Sequence, residues 1–466
     1  MGIRIALPKG RLLKPTAELL NAAGWDLTEY SEKARLYRLD SGRFPDLAAK
    51  MFQEKDIPIQ VAIGNYDLGI CGLDWVTEQL AKYPSSALVV LKDLGFGQGA
   101  VYVAAAPERM QGDTLVTGNS RVRIAGEYPN LAEKLAEDLR LPLFSIYPLW
   151  GAAESYPPEN AELVLVSRKS EEDVTRSRLK LLGKMVVFRA CLIANASSLK
   201  TKDMAYLLDT ISPLPTKIAP DITSTLPSLR IVAGTREMDE DMVFLALPDG
   251  HQQAHVRKIL DAAGVGVSDY PSETGNRRPE GFPGFFIKVI RPQDMPLQVA
   301  NGNFDLAITG RDWLSDHLYQ FPTSPARELM DLKYGWVRIV AVVANSVPVS
   351  NPAELRRYFS QLGVPCRVAS EYVNIADYYA RANHLGQYRV IPTWGASEAF
   401  LPEDADLLIE NTETGSTIAR HNLRIIDTLF ESTACVIGRR QSLSPLKQRR
   451  IEGFLDLLRA GLKAMS

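Results

Sequence analysis

A run of hydroxyl-bearing residues follows an apolar, strand-like segment, 407–409, and precedes a helical stretch. The run consists of Glu413, Thr414, Gly415, Ser416, Thr417 and Ile418. A strand–loop–helix start presents free backbone N–H groups and the positive end of the helix dipole to an anion. Gly415 permits close backbone approach, and the hydroxyls add donors. The pattern predicts an anion site, although a plain Ser/Thr helix cap explains the same residues.

A second candidate site lies near the N-terminus, where Lys9-Gly10-Arg11 follows the first predicted strand. Two cations there would bind a polyphosphate, with Arg11 as a bidentate donor. The alternative is two solvated charges at a helix start, although cations oppose the helix dipole at that position.

The chain contains an internal repeat that relates these two segments. Residues 55–76 and 293–314 are identical at 13 of 22 positions, with a constant offset of 238. Further matches occur in the same order at offsets of 240 and 244. A fixed spacing of this kind is the signature of a duplicated structural unit. We therefore expect copy one over 1–211 and copy two over 240–466, joined by a Pro/Ser/Thr-rich linker over 212–239.

The two copies retain opposite halves of the candidate chemistry. The hydroxyl loop corresponds to 169–174 in copy one, where carboxylates replace the glycine and two hydroxyls. Lys9 and Arg11 correspond to Asp249 and His251 in copy two. Two like charges about 4 Å apart repel by roughly 4 kcal/mol at an effective dielectric of about 20, so each replacement disfavours a phosphate. Our hypothesis is one composite active site per chain, to which copy one supplies positive charge and copy two the anion loop.

Weaker candidates lie at other strand ends. Asp67, Gly69 and Gly72 belong to an apolar segment whose glycines would let a nucleotide approach the backbone, and a tight strand-to-helix turn explains them equally well. Glu398 lies shortly after a Trp-Gly-Ala sequence and is a candidate for ligand contact. The tryptophans of this sequence in both copies are more typical of packing.

Composition restricts the function classes. The 46% hydrophobic and 23% charged residues exclude a mainly disordered or coiled-coil chain. A formal charge of −2 argues against nucleic acid as the main partner. There is no apolar run of about 18 residues and no signal-like N-terminal segment, so we expect a cytoplasmic protein that does not contact a membrane. The four separated cysteines predict free thiols.

The elements that must position these residues follow an α/β pattern. Within each copy, short β-rich runs alternate with helical patterns, which predicts mixed, mostly parallel sheets covered by helices. About 210 residues per copy favours two lobes with a cleft between them. Ligands bind in such clefts at the carboxyl ends of strands.

The ordered set of motifs resembles the catalytic core of ATP phosphoribosyltransferase, the first enzyme of histidine biosynthesis. The matching segments include LPKGRLL, DLGICG and EYPNLA in copy one, and RPQDMP, EYVNIA and ENTETGSTIARHNL in copy two. The resemblance implies two tandem copies of a two-lobed, periplasmic-binding-protein-like α/β fold. The implied lobes are lobe I over about 1–97 plus 185–211 and lobe II over about 98–184 in copy one, and lobe I over about 240–335 plus 428–466 and lobe II over about 336–427 in copy two.

The resemblance also implies a reaction. The family transfers the phosphoribosyl group of phosphoribosyl pyrophosphate (PRPP) to N1 of ATP and releases pyrophosphate, with Mg²⁺ carried by the substrate. The implied catalytic residues are Lys9, Arg11 and Arg291, which would neutralise charge on pyrophosphate. Arg338 also matches a family arginine and would contact ATP.

The resemblance also implies that the hydroxyl loop binds PRPP. The 414–418 segment would hold the 5′-phosphate of PRPP, while Glu410 and Glu413 would accept hydrogen bonds from the ribose hydroxyls. Arg35 and Arg277 are near-matches to another family arginine.

A covalent tandem departs from the usual family member, which has one such unit. We expect a homo-oligomer of the fused pseudo-dimer, and the short form of the family adds a histidyl-tRNA-synthetase-like regulatory subunit as a further expectation. One alternative is a non-catalytic nucleotide-binding regulatory or scaffold paralogue, because each copy lacks motifs. The intact 414–418 loop argues against it. A solute-binding protein of the same plan would need an export signal.

Overall fold

The computed structural model describes residues 2–31, 37–118, 121–211, 229–234, 241–272, 275–395, 397–439 and 444–465. The chain divides into two compact units. The first unit contains 1–148, 161–233 and 393–400, and the second contains 149–160, 234–392 and 401–466. Each unit is therefore built on one copy and includes a short segment of the other. We call 149–160 of copy one insert one, and 393–400 of copy two insert two.

Copy one begins in lobe I, crosses to lobe II and returns. Lobe I starts with β1 (Ile3–Pro8), α1 (Leu13–Ala22), β2 (Arg38–Asp40), β3 (Leu47–Phe52), α2 (Ile57–Ala62), β4 (Leu68–Gly72), α3 (Leu73–Lys82) and β5 (Leu88–Asp93). Lobe II contains β6 (Gly99–Ala105), β7 (Met110–Gln111), β8 (Thr114–Thr117), β9 (Val122–Gly126), α4 (Pro129–Asp138), β10 (Phe144–Pro148), β11 (Leu163–Arg168), α5 (Glu171–Arg176) and β12 (Lys180–Phe188). The chain returns with β13 (Ala190–Asn195), α6 (Ala196–Thr201) and α7 (Ala205–Leu208).

The two sheets of copy one show why the cleft lies where it does. Lobe I has the strand order β2-β3-β1-β4-β13-β5, in which β1, β3 and β4 run parallel. All five residues of β4 are buried, as expected for a parallel strand covered on both faces. Lobe II has the order β10-β9-β11-β6-β12. The carboxyl ends of parallel strands meet at one sheet edge, which is where ligands bind in such folds.

The expected linker includes regular structure. Residues 230–233 form β14 (Arg230–Ala233), which pairs in parallel with β8 in the small sheet β14-β8-β7. The segments 212–228 and 235–240 of the expected linker lie outside the described residues. A Pro-rich composition therefore did not preclude a short paired strand at the end of this stretch.

Copy two repeats the plan within the second unit. Lobe I contains β15 (Val243–Pro248), α8 (Gln253–Ala262), β16 (Phe285–Ile290), α9 (Met295–Ala300), β17 (Leu306–Gly310), α10 (Arg311–Gln320) and β18 (Ala326–Asp331). Lobe II contains β19 (Val337–Ala344), α11 (Pro352–Leu362), β20 (Cys366–Ser370), α12 (Val373–Ala382), β21 (Tyr388–Pro392), β22 (Leu407–Thr412), α13 (Ser416–Arg420) and β23 (Leu423–Ser432). The chain returns with β24 (Ala434–Arg439) and α14 (Pro445–Met465).

The duplicated α/β fold class is confirmed. The sheets of copy two have the orders β16-β15-β17-β24-β18 and β21-β20-β22-β19-β23, which match those of copy one apart from the additional β2. The chain returns to lobe I after β12 and β23, which end at Phe188 and Ser432. Each lobe has its own core of buried aliphatic and aromatic side chains.

In each copy, a carboxylate of lobe I binds the start of a lobe II helix. Glu78 on α3 accepts the backbone N–H groups of Asn130 and Leu131 at the start of α4, both at 2.9 Å. Asp316 on α10 accepts the equivalent groups of Asn374 and Ile375 at 3.0 and 2.9 Å. These contacts satisfy helix N–H groups that lack intrahelical partners. They fix each lobe II against its lobe I and so define the width of the cleft.

Candidate functional site

A cavity of about 380 Å³ lies between lobes I and II of copy two, within the second unit. Its lobe I wall follows the carboxyl ends of β15, β16 and β17, and its lobe II wall follows β20 and β22. The two chain crossings form its back. The lining comes from 249–252, 255, 291–293, 310, 312–313, 334–335, 337, 371–372, 411, 413 and 432–434.

Four buried polar atoms on this lining have no hydrogen-bond partner among the described residues. They are Gln252 Oε1, Arg291 Nε, Gln293 Oε1 and Tyr334 Oη. Buried polar groups in folded proteins are almost always paired, because an unpaired one keeps its full desolvation penalty. The four residues that carry these atoms all line one cavity, so its wall is polar and contains hydrogen-bonding groups that the described residues do not pair.

A hydrogen-bonded carboxylate forms the floor of the cavity. Asp312 accepts the hydroxyl of Tyr372 at 2.6 Å and that of Ser432 at 3.1 Å. The Tyr372 oxygen in turn accepts the side-chain N–H of Asn411 at 2.8 Å. Burial raises the pKa of Asp312, and the hydrogen bonds from Tyr372 and Ser432 oppose that rise. The network holds the lobe II wall against the lobe I wall.

Arg291, predicted to be catalytic, follows β16 and lines the cavity. Its Nη1 lies 3.3 Å from both oxygens of Asp249. Asp249 also pairs with Arg277 Nη1 at 2.7 Å. The sequence indicates that copy two loses a cation where Asp249 replaces Lys9. The structure shows in addition that Asp249 binds two arginines.

The hydroxyl loop forms a tight turn at the start of α13. Gly415 has a φ of 76°, in the left-handed region that favours glycine. Its N–H donates to Thr412 Oγ1 at 2.9 Å, and the N–H of Ser416 donates to Thr414 Oγ1 at 3.3 Å. Thr414, Ser416, Thr417 and Ile418 continue this turn, and Ile418 is buried. The phosphate role of the loop stays a prediction.

The two glutamates assigned to the ribose occupy different positions. Glu413 lines the cavity, next to the loop. Glu410 accepts the N–H of Asn411 at 2.9 Å and is not part of the lining. Since strand residues alternate between faces, Glu410 and Asn411 point to opposite sides of β22. The ribose role of Glu410 and Glu413 stays a prediction.

The equivalent region of copy one is occupied by its own arginine. Arg11 Nε donates to both oxygens of Glu54, at 3.2 and 3.1 Å, and Nη2 donates to both oxygens of Asp74, at 3.0 and 2.9 Å. The Phe188 ring lies 4.6 Å from the guanidinium carbon. Copy two has His251, Pro292 and Ser432 at the positions of Arg11, Glu54 and Phe188. Smaller or uncharged side chains thus line the cavity at these positions. In copy one, Arg11 and its carboxylate partners Glu54 and Asp74 fill the equivalent space, and we call these three residues the ionic plug.

Burial and ion pairing change the pKa values of Glu54 and Arg11. Burial raises the pKa of Glu54 to about 7, although Arg11 acts in the opposite direction. Burial lowers the pKa of Arg11, but the carboxylates of Asp74 and Glu54 more than offset this and raise it overall. Arg11 was predicted to bind a polyphosphate, and that stays a prediction. The structure gives its guanidinium two carboxylate partners that a phosphate would have to displace.

Lys9, the other predicted cation, lies in the first unit. Its Nζ lies 4.4 Å above the ring of Tyr37, and burial lowers the pKa of Lys9 while Glu398 of insert two opposes that shift. The 414–418 loop belongs to the second unit. The expected sharing of one site by Lys9, Arg11 and this loop stays a prediction.

The inserts change which glutamate accompanies which copy. Glu398, a candidate for ligand contact that follows the Trp-Gly-Ala of copy two, belongs to the first unit. Its counterpart Glu154 belongs to the second unit, where it lies 3.5 Å from Arg277 Nε. The sequence does not predict this exchange, because similarity between two copies does not indicate the unit in which a segment packs.

Insert one is held in the second unit by several contacts. The N–H of Trp150 donates to both oxygens of Asp294, at 3.1 and 3.2 Å. The Trp150 ring packs edge-on against Trp313, whose ring lies 4.3 Å from that of Tyr372. The fully buried Lys288 donates to the backbone oxygen of Tyr156 and lies 2.6 Å from Glu159. Insert one therefore packs directly behind the residues of the cavity.

The weaker candidates take mainly structural positions. Asp67 precedes β4, at the opposite end of the strand from Gly72, and accepts hydrogen bonds from Ser198 and Lys202. A Cβ on Gly69 would lie 2.7 Å from Ile57, so this glycine allows α2 to pack on the sheet. Gly72 adjoins the Arg11–Asp74 pair.

Two predicted arginines remain. Arg338 lies on β19, where its neighbour Val337 lines the cavity and Arg338 does not. The alternation of strand side chains explains why the two differ. Arg35 lies outside the described residues.

Sequence reasoning missed several lining residues. Asp312 and Tyr372 lie in segments that match between the copies, in GRDWL and EYVNIA, so the repeat contained a usable signal. Tyr334, Gln252 and Gln293 carried no such signal, because their copy-one counterparts have different side chains.

The described residues contain no group of three or more His, Cys, Asp or Glu side chains arranged to hold a metal ion. No helix in the described part of the chain is long and apolar enough to cross a membrane.

The family model for ATP phosphoribosyltransferase matches residues 53–218 and again 291–460, together more than half of the chain. An ATP phosphoribosyltransferase from Chlorobium luteolum is 35% identical over 182 residues, which are 38% of this chain and 57% of that protein. One from Pelotomaculum thermopropionicum is 27% identical over 47% of this chain and 73% of its own length. The chain thus spans a little over half the length of several relatives that it matches.

The chain is less similar to solved structures than to these sequence relatives. The ATP phosphoribosyl transferase (HisG:HisZ) complex from Thermotoga maritima has a chain that is 23% identical, with a TM-score of 0.39 over 48% of this chain and all of that one.

Proposed function

The chain belongs to the ATP phosphoribosyltransferase family, and from that premise we propose that it transfers the phosphoribosyl group of PRPP to N1 of ATP in the cleft of copy two. The observation that supports this site is the polar cavity between the lobes of copy two, whose lining includes Arg291 and three further residues that carry an unpaired, buried polar atom. The proposed reaction is the first step of histidine biosynthesis.

The proposed chemistry requires positioning and charge stabilisation. The bond from the ribose C1 to pyrophosphate breaks as a bond to N1 of adenine forms, so negative charge grows on the leaving group. Arg291, fixed by Asp249, would stabilise that charge. Mg²⁺ would enter as part of the pyrophosphate-bearing substrate. The turn at 414–418 would hold the 5′-phosphate, and Glu413 would accept a ribose hydroxyl.

We propose that copy one does not carry out this reaction. In its cleft Arg11 is held by Glu54 and Asp74, and carboxylates replace the hydroxyl loop. Copy one instead contributes insert one, which packs behind Trp313 and Arg291 of the second unit. The proposed site would thus be supported by residues of both copies within the second unit.

The alternative, a non-catalytic nucleotide-binding paralogue, makes a different prediction. A coupled assay of pyrophosphate release from ATP and PRPP should show turnover by the full chain. Arg291→Ala should lower kcat/KM by about 10²–10³-fold, in line with the loss of one preorganised charge-stabilising donor. Arg459→Ala removes an exposed arginine that pairs with the exposed Asp456 on α14, and should leave activity unchanged. Binding of ATP without turnover would support the paralogue, and equal activity of both variants would rule out the assigned cleft.

A further inference from the structure

Four alternating charges connect copy one to the proposed catalytic arginine of copy two. Glu154 Oε1 lies 3.5 Å from Arg277 Nε, and Arg277 Nη1 lies 2.7 Å from Asp249 Oδ2. Asp249 Oδ1 and Oδ2 each lie 3.3 Å from Arg291 Nη1. Asp249 is almost fully buried, so its position depends on its two arginine partners. Glu154 is the outermost member of this series and the only one that copy one supplies.

The backbone of insert one also touches Arg291. Gly151 has a φ of 148°, and a Cβ there would lie 3.1 Å from Arg291 Nε and 3.6 Å from Nη2. Any larger residue would therefore strain the backbone and move the guanidinium. Glu154 and Gly151 thus constrain the same arginine, one through charge and the other through contact.

We propose that Glu154 is a positioning residue that fixes Arg291 for the reaction, so that copy one acts on the active site of copy two. This inference rests on the proposed function. Glu154 holds Arg277, which leaves Asp249 oriented toward Arg291. Without the charge of Glu154, Asp249 is the carboxylate of this series that remains to pair with Arg277. The Asp249 carboxylate then turns toward Arg277. Arg291 then loses its fixed position.

A positioning role for Glu154 predicts different effects on kcat and KM. Glu154→Gln removes one negative charge near the site, which does not weaken the attraction of a polyanionic substrate. The loss should therefore appear in kcat, with no rise in the KM for PRPP. A purely structural defect would instead lower the amount of active protein and the melting temperature together. Insert one keeps its contacts through Trp150 and Lys288, so the variant should fold.

The test compares Glu154→Gln with Asp261→Asn in the full-length protein. Asp261 forms an exposed ion pair with Arg257 on α8 of the same unit, so the control loses a similar charge away from the cavity. We expect Glu154→Gln to lower kcat about tenfold and the control to leave it unchanged. In an Arg291→Ala background, Glu154→Gln should have no further effect, because its action passes through Arg291. Independent, multiplicative losses would overturn the proposal.

A crystallographic comparison separates this inference from the proposed function. In Glu154→Gln the guanidinium of Arg291 should move away from Asp249 or occupy more than one rotamer. Gly151→Ala should displace it as well, without a change of charge. An unmoved Arg291 in Glu154→Gln would overturn the positioning role even if the wild-type enzyme turns over. If the wild type shows no turnover, the proposed function fails, and the position of Arg291 alone decides the inference.

Discussion

Replacing Arg11 by alanine distinguishes the role that the sequence gives this residue from the one that the structure gives it. The guanidinium contacts Glu54 and Asp74, whose side chains are 9% and 0% exposed. Deleting one partner of a buried ion pair costs about 3–5 kcal/mol, because an uncompensated charge remains. Since the Arg11 side chain is 36% exposed, solvent screens part of the loss. We expect a loss of about 3 kcal/mol in the free energy of unfolding, the lower end of that range.

Differential scanning calorimetry measures this effect. In a unit of about 200 residues, 1 kcal/mol lowers the melting temperature by about 2–4 °C, so Arg11→Ala should lower the transition of the first unit by about 6–12 °C. The matched control is Arg176→Ala, whose side chain is 79% exposed and pairs with Asp173 on the surface. Exposed pairs contribute about 0–1 kcal/mol, so the control should shift the melting temperature by no more than about 4 °C.

Activity measurements on the same variant decide between the two roles of Arg11. If Arg11→Ala melts like the wild type but loses pyrophosphate release, Arg11 binds a substrate phosphate, and the ionic plug does not define the resting state of copy one. If the variant is destabilised and its remaining folded fraction has wild-type kcat, Arg11 is structural.

Two further predictions concern pH and the anion loop. Burial raises the pKa of both Glu54 and Glu78 to about 7, so their contribution to the stability of the first unit is complete below about pH 4.5 and is lost as the pH rises to about 7. Urea denaturation should show this decline, and Glu78→Gln should flatten it; stability that rises over this range would contradict the assignment. Gly415→Glu should lower kcat/KM for PRPP by at least about 100-fold, since like charges at contact repel by roughly 4 kcal/mol. Gly386→Glu, at a nearly equal φ of 73° in an open loop, is its control and should share only the backbone cost.

The duplication and the fold class could be predicted from the sequence because both depend on pattern. The repeat preserves its order over more than 140 residues, and alternating strand and helix patterns determine the α/β class. Arg291 and Glu413, to which the family resemblance gave roles, line the cavity of copy two, and those roles stay predictions. Rules that relate local pattern to topology are enough for this level of detail.

The contacts that decide the roles of individual residues could not be predicted in this way. Arg11 meets carboxylates that lie 43 and 63 residues further along the chain, and local sequence does not indicate such pairing. Glu154, rather than Glu398, belongs to the second unit because the two inserts are exchanged between the units. Two similar copies would have the same sequence pattern whether or not their inserts were exchanged. Asp249 looked like a lost cation, and only the geometry shows that it anchors Arg277 and Arg291.

We claim that copy two contains the working cleft, and a crystal structure of the full chain with PRPP and Mg²⁺ would show which cleft binds the substrate. We predict density for the pyrophosphate group beside Arg291, with the 5′-phosphate at the turn around Gly415. Density for PRPP beside Arg11, with that guanidinium released from Glu54 and Asp74, would contradict the claim.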